Sequence, residues 1–285
     1  MRPREQVLVD GDWLQERLGD PDLVLCEVDE RPLIYRVGHI PGAHSLDWRA
    51  DLQASVTRDL PDSESLGRLW RRIGLTERST VVFYGDQSNW HACFGYWLFR
   101  IHGVSDMRIL DGGRQVWVRE QRPLTRDAVR ENGHAAPLPQ ATGERFRARW
   151  QDVQRAAQQG VQLLDVRTTA EYRGDVLAEA GYAEEGAQRA GHIPGALSVP
   201  WDLAVGEDGR LLGEDRLRAR LTAAGVDLDA PAITYCRIGE RSAHTWFVLH
   251  ELLGVQARNY DGSWVEWGSM IGMPIATGGD PGRPA

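Results

Sequence analysis

The chain contains no lysine: all 33 of its basic Lys/Arg residues are arginine. That excludes mechanisms built on an amine nucleophile, a Schiff base among them. Cysteine is scarce too, with only Cys26, Cys93 and Cys236 in 285 residues. An odd count without a CxxC pair fits neither a disulfide scaffold nor a zinc site, and the histidines do not gather near any cysteine, so no metal and no cofactor is expected. No apolar run approaches the roughly eighteen residues of a membrane span. The first ten residues lack the apolar stretch of a signal peptide, so a cytoplasmic protein without membrane partners is expected. Net charge is −8, which speaks against a general nucleic-acid footprint.

What the chain does have is a repeat, the first thing to look for at this length. Gly38-His39-Ile40-Pro41-Gly42-Ala43 recurs as Gly191-His192-Ile193-Pro194-Gly195-Ala196, a shift of 191 − 38 = 153. Val82-Phe83-Tyr84 aligns with Ile233-Thr234-Tyr235 (235 − 84 = 151), and Asp111-Gly112 with Asp261-Gly262 (261 − 111 = 150). Near-constant shifts over such a span mean that a whole domain has been duplicated. In each copy a short helix (10–18; 151–159) precedes a strand (23–28; 161–166) and the GHIPGA turn. A short strand (43–46; 196–199), a helix (63–73; 215–224), a central apolar strand (80–84; 232–235), a longer helix (90–102; 242–253) and a last strand (107–110; 257–260) follow. Asp-Gly and a Trp-bearing helix close the unit. Strands alternating with helices predict an α/β fold: tandem domains, each a parallel sheet with helices on both faces. The expected division is 1–125, a linker over 126–145 rich in Pro, Gly and charge, and 146–277. The tail from 276 onward is Gly/Pro-rich and expected to be loose.

Parallel sheets place reactive groups at the carboxyl ends of their strands, and Cys236 stands at one. Cys236-Arg237-Ile238-Gly239-Glu240-Arg241-Ser242 links the strand to the helix, with Ser242 placed as its cap. Gly239 is free to take a left-handed conformation. Backbone N–H groups, the helix dipole and two guanidinium groups make this a partly exposed, electropositive seat that favours a thiolate. Cys26, in an apolar strand, and Cys93, in an aromatic helix, read instead as core residues.

Two GHIPGA turns, Asp165-Val166-Arg167, the Cys236–Ser242 loop and Asp261-Gly262-Ser263-Trp264 together resemble the two-domain rhodanese family of sulfurtransferases. The resemblance implies one active cysteine, Cys236, in the second copy and an inactive first copy, where the aligned positions are Gly85 and Asp86. It implies thiosulfate sulfurtransferase activity through a Cys236 persulfide, with a small anionic sulfur donor and a thiol or cyanide as acceptor. Arg237, Ile238, Gly239, Glu240, Arg241 and Ser242 would line the substrate site. Glu240 either orients an arginine or faces water. Arg167 is expected in a structural ion pair, and His39 and His192 as turn-stabilising residues. Glu171 departs from the family pattern, in which some members carry a substrate-contacting arginine there; either Arg167 or Arg173 compensates, or the loop arginines suffice. Competing readings are a 3-mercaptopyruvate sulfurtransferase, a persulfide carrier serving a partner protein, and a phosphatase. Two arginines in the loop favour doubly charged thiosulfate over mercaptopyruvate. The phosphatase loop has five residues between Cys and Arg, against four here.

Overall fold

The computed structural model describes residues 2–29, 33–129, 136–156, 159–179, 181 and 186–282. The chain divides into two compact units, 2–144 with 206–211, and 145–205 with 212–285. The first unit runs β1 (Leu8–Val9), α1 (Gly11–Gln15), β2 (Leu23–Asp29), α2 (Leu33–Val37), β3 (Ala43–Asp47), α3 (Ser63–Arg72), β4 (Thr80–Tyr84), α4 (Trp90–Ile101), β5 (Met107–Leu110), α5 (Gly113–Arg119). The second runs β6 (Arg147–Ala148), α6 (Trp150–Ala156), β7 (Gln162–Asp165), α7 (Thr169–Arg173), β8 (Leu197–Ser198), α8 (Glu214–Ala223), β9 (Ala232–Tyr235), α9 (Glu240–Phe247), β10 (Ala257–Tyr260), α10 (Ser263–Trp267). Among the described residues each unit holds a five-stranded parallel sheet, ordered β1-β5-β4-β2-β3 and β6-β10-β9-β7-β8. The order is the same in both, as duplication requires.

The central strands are apolar almost throughout because both of their faces are covered. Every residue of β9 is buried, and in β4 only Thr80 is not. Helix α3 shows the complementary pattern: Leu66, Leu69 and Trp70 turn inward, and the Asp62 carboxylate caps it by accepting the Ser65 N–H at 2.8 Å.

Three expectations change. The helix expected over 10–18 ends at Gln15, with Asp10 as its cap through the Trp13 N–H at 2.8 Å. Strands β1 and β6, and helices α2 and α7, were not foreseen. The tail is not loose as far as it is described: Ala276 pairs with His192, and the Gly195 N–H donates to Pro281 O at 2.6 Å. Parts of the expected linker lie on the first unit, where Gln140 N–H donates to His102 O at 3.1 Å and Gly143 N–H to Ile101 O at 2.9 Å; residues 130–135 of it are outside the described ones.

The GHIPGA turns are built alike. His39 stacks on Tyr35 and His192 on Tyr172, both at 3.7 Å between ring centres. His192 Nδ1 lies 2.8 Å from Tyr172 O, and His39 Nδ1 lies 3.0 Å from Tyr35 O. Both histidines therefore hold the turn, as expected. The Ile193 N–H donates to the Tyr235 hydroxyl and the Ile40 N–H to the Tyr84 hydroxyl, each at 3.1 Å, tying each turn to the central strand.

Candidate active site

Strand β9 ends at Tyr235, and the next residue is Cys236. The loop after it is held from below by the start of α10. Trp264 and Val265 donate their N–H groups to Cys236 O and Arg237 O, each at 3.0 Å. Ser263, at φ 52, accepts the Cys236 N–H on its hydroxyl at 3.1 Å and donates to Tyr260 O at 2.7 Å. The Asp261-Gly262-Ser263-Trp264 motif is thus the floor of the loop, and Ser263 is a site residue that loop spacing alone did not reveal.

Gly239 turns the chain back at φ 109, which a side chain rarely adopts. A Cβ there would also lie 2.9 Å from Asp261 O. This geometry aims the Gly239 N–H at Cys236 Sγ, 3.1 Å away. Helix α9 starts at Glu240 with Gly239 as its N-cap, so its positive end faces the sulfur. Ser242 is therefore not the cap. The helix begins two residues earlier than expected, and the Ser242 hydroxyl donates to Gly239 O at 3.0 Å, joined there by Asn259 Nδ2 at 3.1 Å.

A second correction concerns exposure. Cys236 is fully buried, not partly exposed, and Arg237, Ile238, Glu240 and Arg241 are 2–4% exposed. The surroundings are nonetheless polar, not hydrocarbon. Glu240 Oε2 lies 3.7 Å from Cys236 Sγ, and Glu240 Oε1 lies 3.6 Å from Arg237 Nη2. Glu240 thus faces an arginine and the sulfur, not water.

The third correction is electrostatic. Arg241 donates from Nη1 and Nη2 to the two oxygens of Glu171, at 2.9 and 3.0 Å, and Glu179 stands 3.9 Å away. Burial works against the Arg241 charge, but the Glu171 hydrogen bonds, the Cys236 sulfur and Glu240 outweigh it and hold the guanidinium above its ordinary range. Burial likewise opposes ionisation of Glu171, and the Arg241 pairing overrides it, so this carboxyl sits below the usual carboxylate range. Glu171 is fixed from the other side by the first turn of α7, where it and Thr168 form a reciprocal capping box. The two arginines considered as substitutes are themselves paired: Arg167 with Asp165 at 2.6 Å while donating to Gly191 O at 2.7 Å, and Arg173 with Asp175 at 3.3 Å. Arg167 is the structural ion-pair residue expected.

Cys26 and Cys93 are buried in β2 and α4, and burial pushes both thiols far up. One helical turn beyond Glu240, His244 is buried against Trp201, with its pKa pushed down to about 4 by burial.

The rhodanese-like domain family matches residues 10–120 and 150–270, and the chain belongs to that family, with two copies of the domain in tandem. It is 44% identical to the sulfur carrier protein TtuD of Thermus thermophilus over 96% of this chain and 97% of that one. It is also 44% identical to a Saccharopolyspora erythraea protein named "Putative thiosulfate sulfurtransferase", over 95% of this chain and 96% of that one. Among solved structures, YnjE superposes with a TM-score of 0.83 at 23% identity, over 97% of this chain and 69% of that one. That likeness shows the fold alone. The chain is thus a rhodanese-like sulfurtransferase by family. Among the described residues no helix is long and apolar enough to cross a membrane.

Proposed function

We propose that the protein is a thiosulfate sulfurtransferase working through a persulfide on Cys236. The observation that carries this reading is the Cys236 sulfur at the carboxyl end of β9, receiving the Gly239 N–H at 3.1 Å and facing the start of α9. Such a seat stabilises a sulfur anion and, equally, the terminal sulfur of a persulfide. In the first half-reaction the Cys236 thiolate attacks the outer sulfur of thiosulfate. A Cys–S bond forms, the bond to the sulfonate sulfur breaks, and its electron pair leaves with sulfite. In the second, a thiolate or cyanide attacks the outer persulfide sulfur and the electron pair returns to Cys236. The result is ping-pong kinetics. Arg237 and Arg241 bring positive charge near the place of the sulfonate, with Ile238, Gly239, Glu240 and Ser242 shaping the loop.

A second reading, a persulfide carrier handing its sulfur to a partner protein, is favoured by the identity to TtuD over nearly the whole chain. Both readings need the same intermediate. The test is intact-protein mass spectrometry after thiosulfate treatment: a gain of one sulfur mapped to Cys236 is expected. Cys236→Ser should show no such gain and lose sulfur transfer by at least about a thousandfold, with its fold unchanged by circular dichroism. Sulfur transfer retained in that variant would overturn the proposal.

A further inference from the structure

Loop spacing puts two arginines beside the sulfur, but the folded site does not have the charge that this suggests. Arg241 is engaged on both terminal nitrogens by Glu171, Arg237 lies 3.6 Å from Glu240, and Glu179 is 3.9 Å from Arg241. Two fixed positive charges are met by three carboxylates. Glu171 and Glu240 are both buried, so water screens them little. Loading from thiosulfate brings a dianion against a thiolate at this spot. Both buried carboxylates oppose that encounter more strongly than they would at the surface.

Glu171 is the carboxylate with the most defined placement. It is fully buried, its two oxygens take the two outward N–H groups of Arg241, and Thr168 locks it through both its N–H (3.1 Å) and its hydroxyl (3.0 Å). A group that only had to support α7 would need the Thr168 contacts alone. Those oxygens accept the kind of paired N–H fork that a sulfonate would otherwise receive.

We propose that Glu171 is the specificity-determining residue of the donor site. By occupying Arg241 it holds down the site's preference for doubly charged thiosulfate relative to sulfur donors that carry a single charge. The inference rests on the persulfide reading above and concerns how strongly the same sulfur prefers one class of donor to another.

The decisive variant is Glu171→Gln, which keeps the shape and one acceptor oxygen but removes the charge. Steady-state rates are measured for thiosulfate, a dianion, and for 3-mercaptopyruvate, whose carboxylate is its single charge at neutral pH when the thiol is protonated. The ratio of kcat/KM for thiosulfate to that for mercaptopyruvate should rise on the order of tenfold, mostly through the thiosulfate KM, as one like charge leaves a desolvated site. A general loss of packing lowers both rates and leaves the ratio in place, so an unchanged or lower ratio overturns the proposal.

The native protein supplies a second readout if the variant folds poorly. With its arginines neutralised, the site should show a thiosulfate KM that stays level or falls as sodium chloride is raised. A KM that climbs steeply with salt would mean a cationic site and would also overturn the proposal. Failure of the persulfide reading looks different: neither donor would add sulfur to Cys236 in the native protein, and the specificity assignment would fall with it.

Discussion

The loops that follow β4 and β9 descend from one ancestral loop and now do opposite things. After β9 the chain runs Cys236-Arg237-Ile238-Gly239, with one left-handed residue, and the glycine N–H meets a sulfur. After β4 it runs Gly85-Asp86-Gln87-Ser88-Asn89, with the last three residues left-handed at φ 49, 55 and 70. Asn89 Oδ1 takes the Gly85 N–H at 3.0 Å, and the Asp86 N–H goes to Asp29 at 2.7 Å. The first copy differs by more than the absence of a thiol. Its backbone has closed: a Cβ at Gly85 would lie 2.3 Å from Val28 O.

Beneath the loops the scaffold is shared, and even a substituted part keeps its task. In the second copy the Arg167 guanidinium joins the buried Asp165 to the carbonyl of Gly191. In the first, Arg114 joins the buried Glu27 to the carbonyl of Gly38. Arg114 comes from the start of α5, where the second copy has Trp264, and Trp264 now lies against Arg167, 4.6 Å from its guanidinium carbon. The position of the charge in space was retained while its position in the chain moved. The turn and its buried ion pair are thus present in both copies, and the sulfur seat in one.

The largest effect that would sharpen this contrast, beyond loss of the sulfur itself, is at Arg114. Arg114→Met leaves Glu27 buried without its cation and should cost about 3–5 kcal/mol, read as an earlier urea transition of the first domain. Cys236 should still load with sulfur where the protein stays folded. A smaller destabilisation, about 1–3 kcal/mol or somewhat more, is expected from Gly85→Cys, because the carbonyl of Val28 must move. No persulfide should form at residue 85 on thiosulfate treatment; a sulfur mapped there would break the contrast outright.

A further effect is one of pH. Asp29, in the first copy, has its carboxyl pushed up to about 8, by burial first and the neighbouring Glu27 second. Its unfolded value is near 3.9. Between these values the folded chain binds the extra proton, so stability present below about pH 4 is lost as pH rises to about 8. Asp29→Asn keeps an acceptor for the Asp86 N–H and should lack that loss. It should be more stable than the native protein at pH 8 and little different at pH 4, by urea unfolding at both.

Much of this was legible in the chain. Periodicity and the repeat located the central strands β4 and β9 and placed Cys236 at a strand end, because long apolar runs and duplicated turns are local signals. Strands β1 and β6 are two residues each and carry no period. Ser242 looked like a cap because Ser favours that position, but the left-handed turn at Gly239 started the helix earlier. The Glu171–Arg241 pair was hidden for a different reason: its partners are 241 − 171 = 70 residues apart, and only the folded sheet order brings α7 beside α9. Counting arginines in the loop therefore overstated its charge.

The burial of all three sulfurs has a practical meaning. A bulky disulfide reagent such as an aromatic Ellman-type probe finds no thiol at the surface of the resting protein, so the speed of its colour change is a clock for how often the pocket breathes rather than for how nucleophilic its occupant is.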